Sequence, residues 1–167
     1  HRYLIAGSLY RLIERLTQSI PLDSCNVITL RPTGVYGEYD DFEEDSSHML
    51  PKIISQICNN NLPKTIFADT NELRNWLYVG DLVKAIDYLI MKFNNNIALN
   101  LGGRNSISMN NLYKKILKVS EFDGKYELVR TKNYYGKSLA RRISINKSIK
   151  IIGEYNSTSI EEGLKNT

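Results

Sequence analysis

The run Asn26-Val-Ile-Thr-Leu-Arg31 holds no charge before its last residue and is rich in β-branched side chains, the pattern of a strand covered on both faces. Ahead of it, Leu4, Ile5, Leu9, Leu12, Ile13 and Leu16 recur at helical spacing and stop near Pro21, which predicts an amphipathic helix. A helix feeding a doubly covered strand is the unit of a parallel α/β sheet. The strand opens into Pro32-Thr-Gly-Val-Tyr-Gly37 and an acidic loop through Asp45. Ser46 or Ser47 can cap the next helix, which carries His48 in its first turn and an apolar stripe of Leu50, Ile53, Ile54 and Ile57. Pro51 falls in that first turn, where a missing N–H costs little.

Further on, Thr65 to Phe67 and Trp76 to Val79 read as short strands, and Asp81 to Phe93 as a helix with Leu82, Ala85, Ile86 and Leu89 inward. Ile97 to Leu101 reads as another strand, stopped by Gly102-Gly103. A helix at Asn110 to Val119 follows, then strands at Tyr126 to Val129 and Arg142 to Ile145, and short helices at Lys147 to Ile152 and Ser159 to Lys165. The order is an α/β start followed by an α+β tail. Residues 1–62 and 63–167 are expected as two parts, with the strand near 97–102 returning to the sheet of the first.

A chain of 167 residues supports a full core, and 42% hydrophobic with 24% charged is ordinary for a globular domain. The net charge of +4 gives a weak preference for anionic ligands. Its only cluster, Lys137 to Arg142, lacks the interleaved aromatics of a nucleic-acid surface, so no nucleic-acid partner is expected. Cys25 and Cys58 have no metal-ligand spacing and read as buried apolar residues of a reducing compartment; no metal is expected. No apolar run approaches the roughly 20 residues that cross a bilayer, so no membrane partner and a cytoplasmic location are expected.

His48 is the first candidate site residue, because an imidazole titrates near neutrality and a helix start beside a glycine-containing loop faces a cleft. A single histidine in such a place is more often structural. Arg31-Pro-Thr-Gly-Val-Tyr-Gly37, Asp40-Asp-Phe42 and Ser47-His-Met-Leu-Pro51 change that weighting, because together they resemble the extended short-chain dehydrogenase/reductases of the NAD-dependent epimerase/dehydratase family, and among them GDP-L-fucose synthases. The spacing matches without a gap from Pro32 to Arg74. The resemblance implies the C-terminal part of a Rossmann-type doubly wound sheet with a small α+β substrate-binding domain. It implies NADP or NAD running past Pro32, Thr33, Gly34 and Val35, with His48 beside it. It also implies that His48 is the acid/base partner of a cysteine in epimerisation, that cysteine lying outside this sequence.

Arg74, in Leu73-Arg-Asn-Trp-Leu-Tyr-Val-Gly-Asp-Leu82, matches the family's Arg-Glu-Phe-Leu segment, and a guanidinium fork suits a diphosphate or ribose. By the same resemblance Phe67 stands for a tryptophan near the base, Gln56 for an arginine, and Arg141 for a residue near the nucleotide. Gly34 stands where the family has asparagine, which removes an amide's donors and acceptors. Asn100-Leu-Gly-Gly103 and the closing Ser159-Ile-Glu-Glu-Gly-Leu-Lys-Asn-Thr167 fix register at the other end.

The family's glycine-rich cofactor turn and its Tyr-x-x-x-Lys pair find no match in this sequence, and Leu4 takes the lysine position. The expectation is part of an NAD(P)-dependent sugar-nucleotide epimerase/reductase, acting on a 4-keto-6-deoxy sugar nucleotide, weakly a GDP-sugar, and inactive by itself. The intact protein is expected to dimerise through the helix at 4–19, and this chain alone to be poorly soluble. The alternative is a non-catalytic remnant that binds a sugar nucleotide or a partner subunit.

Overall fold

A computed structural model describes residues 2–21, 25–43, 47–59, 61, 65–68, 72–122, 124, 127–130 and 143–167. Helix α1 (Arg2–Gln18) leads to strand β1 (Ile28–Pro32) and the short strand β2 (Gly34–Tyr36), then to helix α2 (Met49–Cys58). Strands β3 (Thr65–Ala68) and β4 (Leu73–Tyr78) precede helix α3 (Val79–Lys92). Strands β5 (Ile97–Leu101) and β6 (Ser106–Ser108) then lead to helix α4 (Met109–Val119), strand β7 (Glu127–Arg130) and helices α5 (Asn146–Ile152) and α6 (Ile160–Asn166).

The uncharged run of the sequence becomes β1, which pairs in parallel with β5, Ile28 opposite Ile97 and Pro32 opposite Leu101. Two parallel strands separated in sequence require a crossover, and α3 supplies its helix. The inward face of α3 is the one its spacing predicts: Ala85 and Leu89 are buried, and Leu82 packs against the Leu77, Leu101 and Tyr155 cluster. A second set, β2-β4-β6, runs parallel between β2 and β4 and antiparallel between β4 and β6. Strand β3 pairs in parallel with β7. The larger core lies between α2 and α4, where Leu50, Ile53 and Ile57 meet Leu112, Ile116 and Tyr36. This is the α/β class expected from the sequence.

The differences are local. Gly34 to Tyr36 is a strand and not loop, because it pairs with Trp76 to Tyr78; a run of three residues is too short to show a period of two. Strand β6 escapes notice for the same reason. Helix α2 starts at Met49, and its cap is His48, whose backbone is extended and whose side chain makes no capping bond, in place of Ser46 or Ser47; Ser46 lies outside the described residues. Residues 143–145 form no strand, and Arg142 lies outside the described residues. Cys25 and Cys58 are exposed rather than buried. Cys25 lies in the segment leading to β1, and Cys58 ends α2 one position past the buried Ile57.

Candidate active site

Strand β1 ends at Pro32, and the Thr33 N–H donates to the Leu101 carbonyl at 2.8 Å, which carries the pairing with β5 one residue further. The chain then crosses to the β2-β4 pair. Asn75 fixes that crossing: its Oδ1 accepts from Thr33 Oγ1 at 3.0 Å and from the Gly103 N–H at 2.8 Å, while its Nδ2 donates to the Gly103 carbonyl at 2.9 Å. At Gly37 the backbone turns with φ 146°, where only glycine is at ease, and a Cβ there would lie 2.3 Å from Val79. The turn opens a cavity of about 1300 Å³ at the end of these strands.

Pro32, Thr33, Gly34 and Val35 form one wall of this cavity, and His48, Arg74 and Trp76 also line it. The sequence candidates Pro32 to Val35, His48 and Arg74, spread over 43 positions, therefore converge on one space. His48 is exposed at the N-terminus of α2, free of any capping bond that would occupy its ring. Arg74 is held by Glu72, its Nη2 donating to the buried carboxylate at 3.0 Å. Gln56 lies on α2 and does not line the cavity. Phe67 lies on β3, but its side chain is outside the described residues, as is Arg141 altogether.

Sequence reading missed several lining groups. Tyr10 reaches the cavity from α1, Glu38, Tyr39 and Asp40 come from the loop after Gly37, and Trp76 stands in the wall. The Tyr78 phenol donates to the Glu38 carboxylate, 2.7 Å from Oε1 and 2.9 Å from Oε2, so that loop is tied to the end of β4. That bond holds the Glu38 carboxyl below its ordinary range and pushes the Tyr78 phenol up. Behind them, burial chiefly, and then the Asp81 charge, push the Tyr36 phenol up. Tyr36 is therefore a neutral packing group at physiological pH and no proton carrier.

The arrangement is an open, mixed polar and apolar cleft with one imidazole and one guanidinium, suited to a ligand that is anionic at one end and undergoes proton transfer at the other. The profile of the NAD dependent epimerase/dehydratase family matches residues 10–102. The chain belongs to this family. A GDP-L-colitose synthase of Yersinia pseudotuberculosis is 30% identical over 146 residues, 83% of this chain and 46% of that protein. A probable GDP-L-fucose synthase 1 of Oryza sativa subsp. japonica is 27% identical over 104 residues, covering 60% of this chain and 32% of the relative. This epimerase-family chain thus spans less than half the length of these curated relatives. A GDP-L-fucose synthetase from Naegleria fowleri bound to NADP superposes with a TM-score of 0.75 at 18% identity, over 98% of this chain and 50% of that one. The UDP-glucose 4-epimerase of Thermotoga maritima, with UDP-glucose, gives 0.70 at 24% identity over 84% and 44% of the two chains. At such identities the superpositions establish the fold, which is that of the Rossmann-type epimerases. Among the described residues no group of His, Cys, Asp and Glu could hold a metal ion, and no helix is long and apolar enough to cross a membrane.

Proposed function

We propose that this chain forms the sugar-nucleotide-binding part of an NAD(P)-dependent epimerase/reductase resembling GDP-L-fucose synthases, with a 4-keto-6-deoxy sugar nucleotide as substrate. Family membership supports the general chemistry, and one observation carries the rest: Pro32 to Val35, His48 and Arg74 line the same cavity. In this reading His48 moves a proton at a sugar carbon next to a ketone, its ring accessible and unengaged by a cap. Arg74, anchored by Glu72, presents its remaining donors to the diphosphate or ribose. By the family resemblance, Gln56, Phe67 and Arg141 are assigned to binding of the nucleotide.

The segment from Pro32 to Val35 suits the nicotinamide end of NADP or NAD, because it has an extended backbone with Pro32 and Gly34 exposed, a flat wall for a planar ring. The cofactor, when bound, supplies hydride transfer at the sugar. This chain's residues orient the ring and hold the sugar. Residues 1–62 belong to the cofactor-side unit and 63–167 to the substrate-side unit, with β5 returning to pair with β1. The cytoplasm, where nucleotide sugars are made, is the compartment this reading implies.

The exposed stripe of α1, with Leu9, Leu12, Ile13 and Leu16 each more than half accessible, supports a homodimer joined through this helix. The test of the catalytic reading is substitution of His48 by Asn in the intact protein, followed by solvent-deuterium exchange at the sugar carbons. Exchange should fall by at least about 100-fold. Exchange at the wild-type rate removes His48 from the chemistry.

A further inference from the structure

Gly34 stands opposite Trp76 in the β2-β4 ladder, and the six-membered ring of the indole crowds the glycine: a Cβ at residue 34 would sit 2.8 Å from both Cε3 and Cζ3 of the ring. The two residues exclude each other's growth, so no side chain can project from position 34 while the indole is there. Trp76 lines the large cavity and the two smaller ones beside it, of about 440 and 420 Å³. Its Nε1 is buried and has no hydrogen-bond partner among the described residues, so the ring surface that reaches these cavities is carbon. The polar groups on either side are partly engaged. The Thr33 hydroxyl donates to Asn75, and Arg74 is turned to Glu72 with its Nε buried. Between Thr33 and Arg74 the wall is thus the carbon face of the Trp76 ring, an apolar shelf with the remaining Arg74 donors at its edge.

We propose that the Gly34–Trp76 pair is a specificity determinant, selecting a deoxyhexose nucleotide over its hydroxylated counterpart because the sugar lies on the Trp76 ring, beside the Pro32 to Val35 backbone assigned to the nicotinamide. The proposal rests on the sugar-nucleotide reading of the cavity. A hydroxyl pressed against carbon gives up its bonds to water and regains none, whereas a C–H at the same position gives up nothing and buries apolar area. An apolar wall rejects an added hydroxyl by roughly 10- to 100-fold. An amide or hydroxyl projecting from residue 34 would cancel that preference, and the indole keeps such a group out.

GDP-L-galactose, GDP-L-fucose and GDP-L-colitose form a matched series in which one hydroxyl is lost at each step. Titration calorimetry of the full 167-residue chain should show affinity rising along the series, by roughly tenfold per step. Trp76 is the one tryptophan of the chain, so its fluorescence should shift as each ligand saturates. In the double variant Gly34→Asn/Trp76→Phe, which makes room for an amide and supplies it, the ratios should shrink below about threefold; a ratio is insensitive to a uniform loss of affinity. If that variant does not melt cooperatively, Trp76→Gln alone, which sets an amide in the shelf itself, carries the test, with smaller ratios expected. Equal affinities along the wild-type series, or ratios unchanged in the variant, overturn the proposal while leaving the site reading intact. Failure of GDP and of every GDP-sugar to bind overturns both.

Discussion

Tyr78, the last residue of β4, donates its phenol proton to the carboxylate of Glu38, in the loop beyond Gly37, at 2.7 and 2.9 Å. Asn166 of α6 donates to the same phenol oxygen at 3.5 Å, so one hydroxyl ties the cavity loop to the C-terminal helix. Glu38 is held below its ordinary value of 4.5, so the ionised, bonded form is favoured in the fold; what it contributes is present above that value and is lost as pH falls through the lowered one. Tyr78 is raised above 10.0, so its contribution is present below that value and is lost as pH rises through the raised one. Amide hydrogen exchange at residues 38–41, corrected for intrinsic rates, should therefore be level across the neutral range and quicken at both ends. Tyr78→Phe should remove the levelling and raise the mid-range rate. An unchanged profile in the variant means that the bond does not order the loop.

Asp81 makes a different kind of tie. Only 1% of it is accessible, and its two oxygens accept from the Thr158 N–H at 3.0 Å and the Thr158 hydroxyl at 2.8 Å, pinning the start of α3 to the segment before α6. Truncation leaves both Thr158 donors without a partner in a closed environment. Asp81→Ala should cost about 3 kcal/mol, a fall of roughly 10 °C in melting temperature. A calorimetric scan decides it, and a fall under about 2 °C would mean that Thr158 finds water instead.

The elements legible in the sequence are those with length and contrast. Strand β1 showed itself by five uncharged positions before Arg31, and α3 by a stripe running from Leu82 to Leu89. Strands β2 and β6 exist because β4 lies between them, and pairing partners more than 30 residues away leave no local mark. The site divided along the same line. Pro32 to Val35, His48 and Arg74 could be read as a motif because their spacing along the chain is fixed. The Trp76 wall and the Glu38–Tyr78 tie could not, since each depends on which residue of β4 or its end stands beside which residue of the loop. The exposed cysteines show the limit of residue type: Cys58 follows Ile57 on α2, and one step of about 100° around the helix is enough to leave the core.

Asn75 is the hinge on which the Pro32 to Val35 wall depends. With Gly103 it exchanges two bonds, 2.8 and 2.9 Å, and it also accepts from the Thr33 hydroxyl at 3.0 Å. Asn75→Ala should lower stability by about 2 kcal/mol, read as a lower denaturant midpoint with an unchanged slope. Asn75→Asp keeps both accepted bonds but sets a carboxylate against the Gly103 carbonyl, so its midpoint should fall between those of Ala and the wild type. If Asp equals or exceeds the wild type, the bond donated to Gly103 contributes nothing.

The outer face of α1 carries the last prediction. Leu9, Leu12, Ile13 and Leu16 are 53% to 60% accessible, an unbroken apolar stripe, while Glu14 turns inward to an ion pair with Arg31. A helix whose charged side is anchored to the body and whose apolar side is bare gains by covering that side, and a second copy offers an identical stripe across a two-fold axis. Sedimentation should show a monomer–dimer equilibrium that shifts to dimer as concentration rises. Leu12→Glu with Leu16→Glu places like charges at the centre of the paired helices and should give monomer throughout the same range. The melting temperature at low concentration should change little, because both positions are exposed within one copy. A wild-type chain that stays monomeric at every concentration would remove the homodimer and leave the stripe to a different partner.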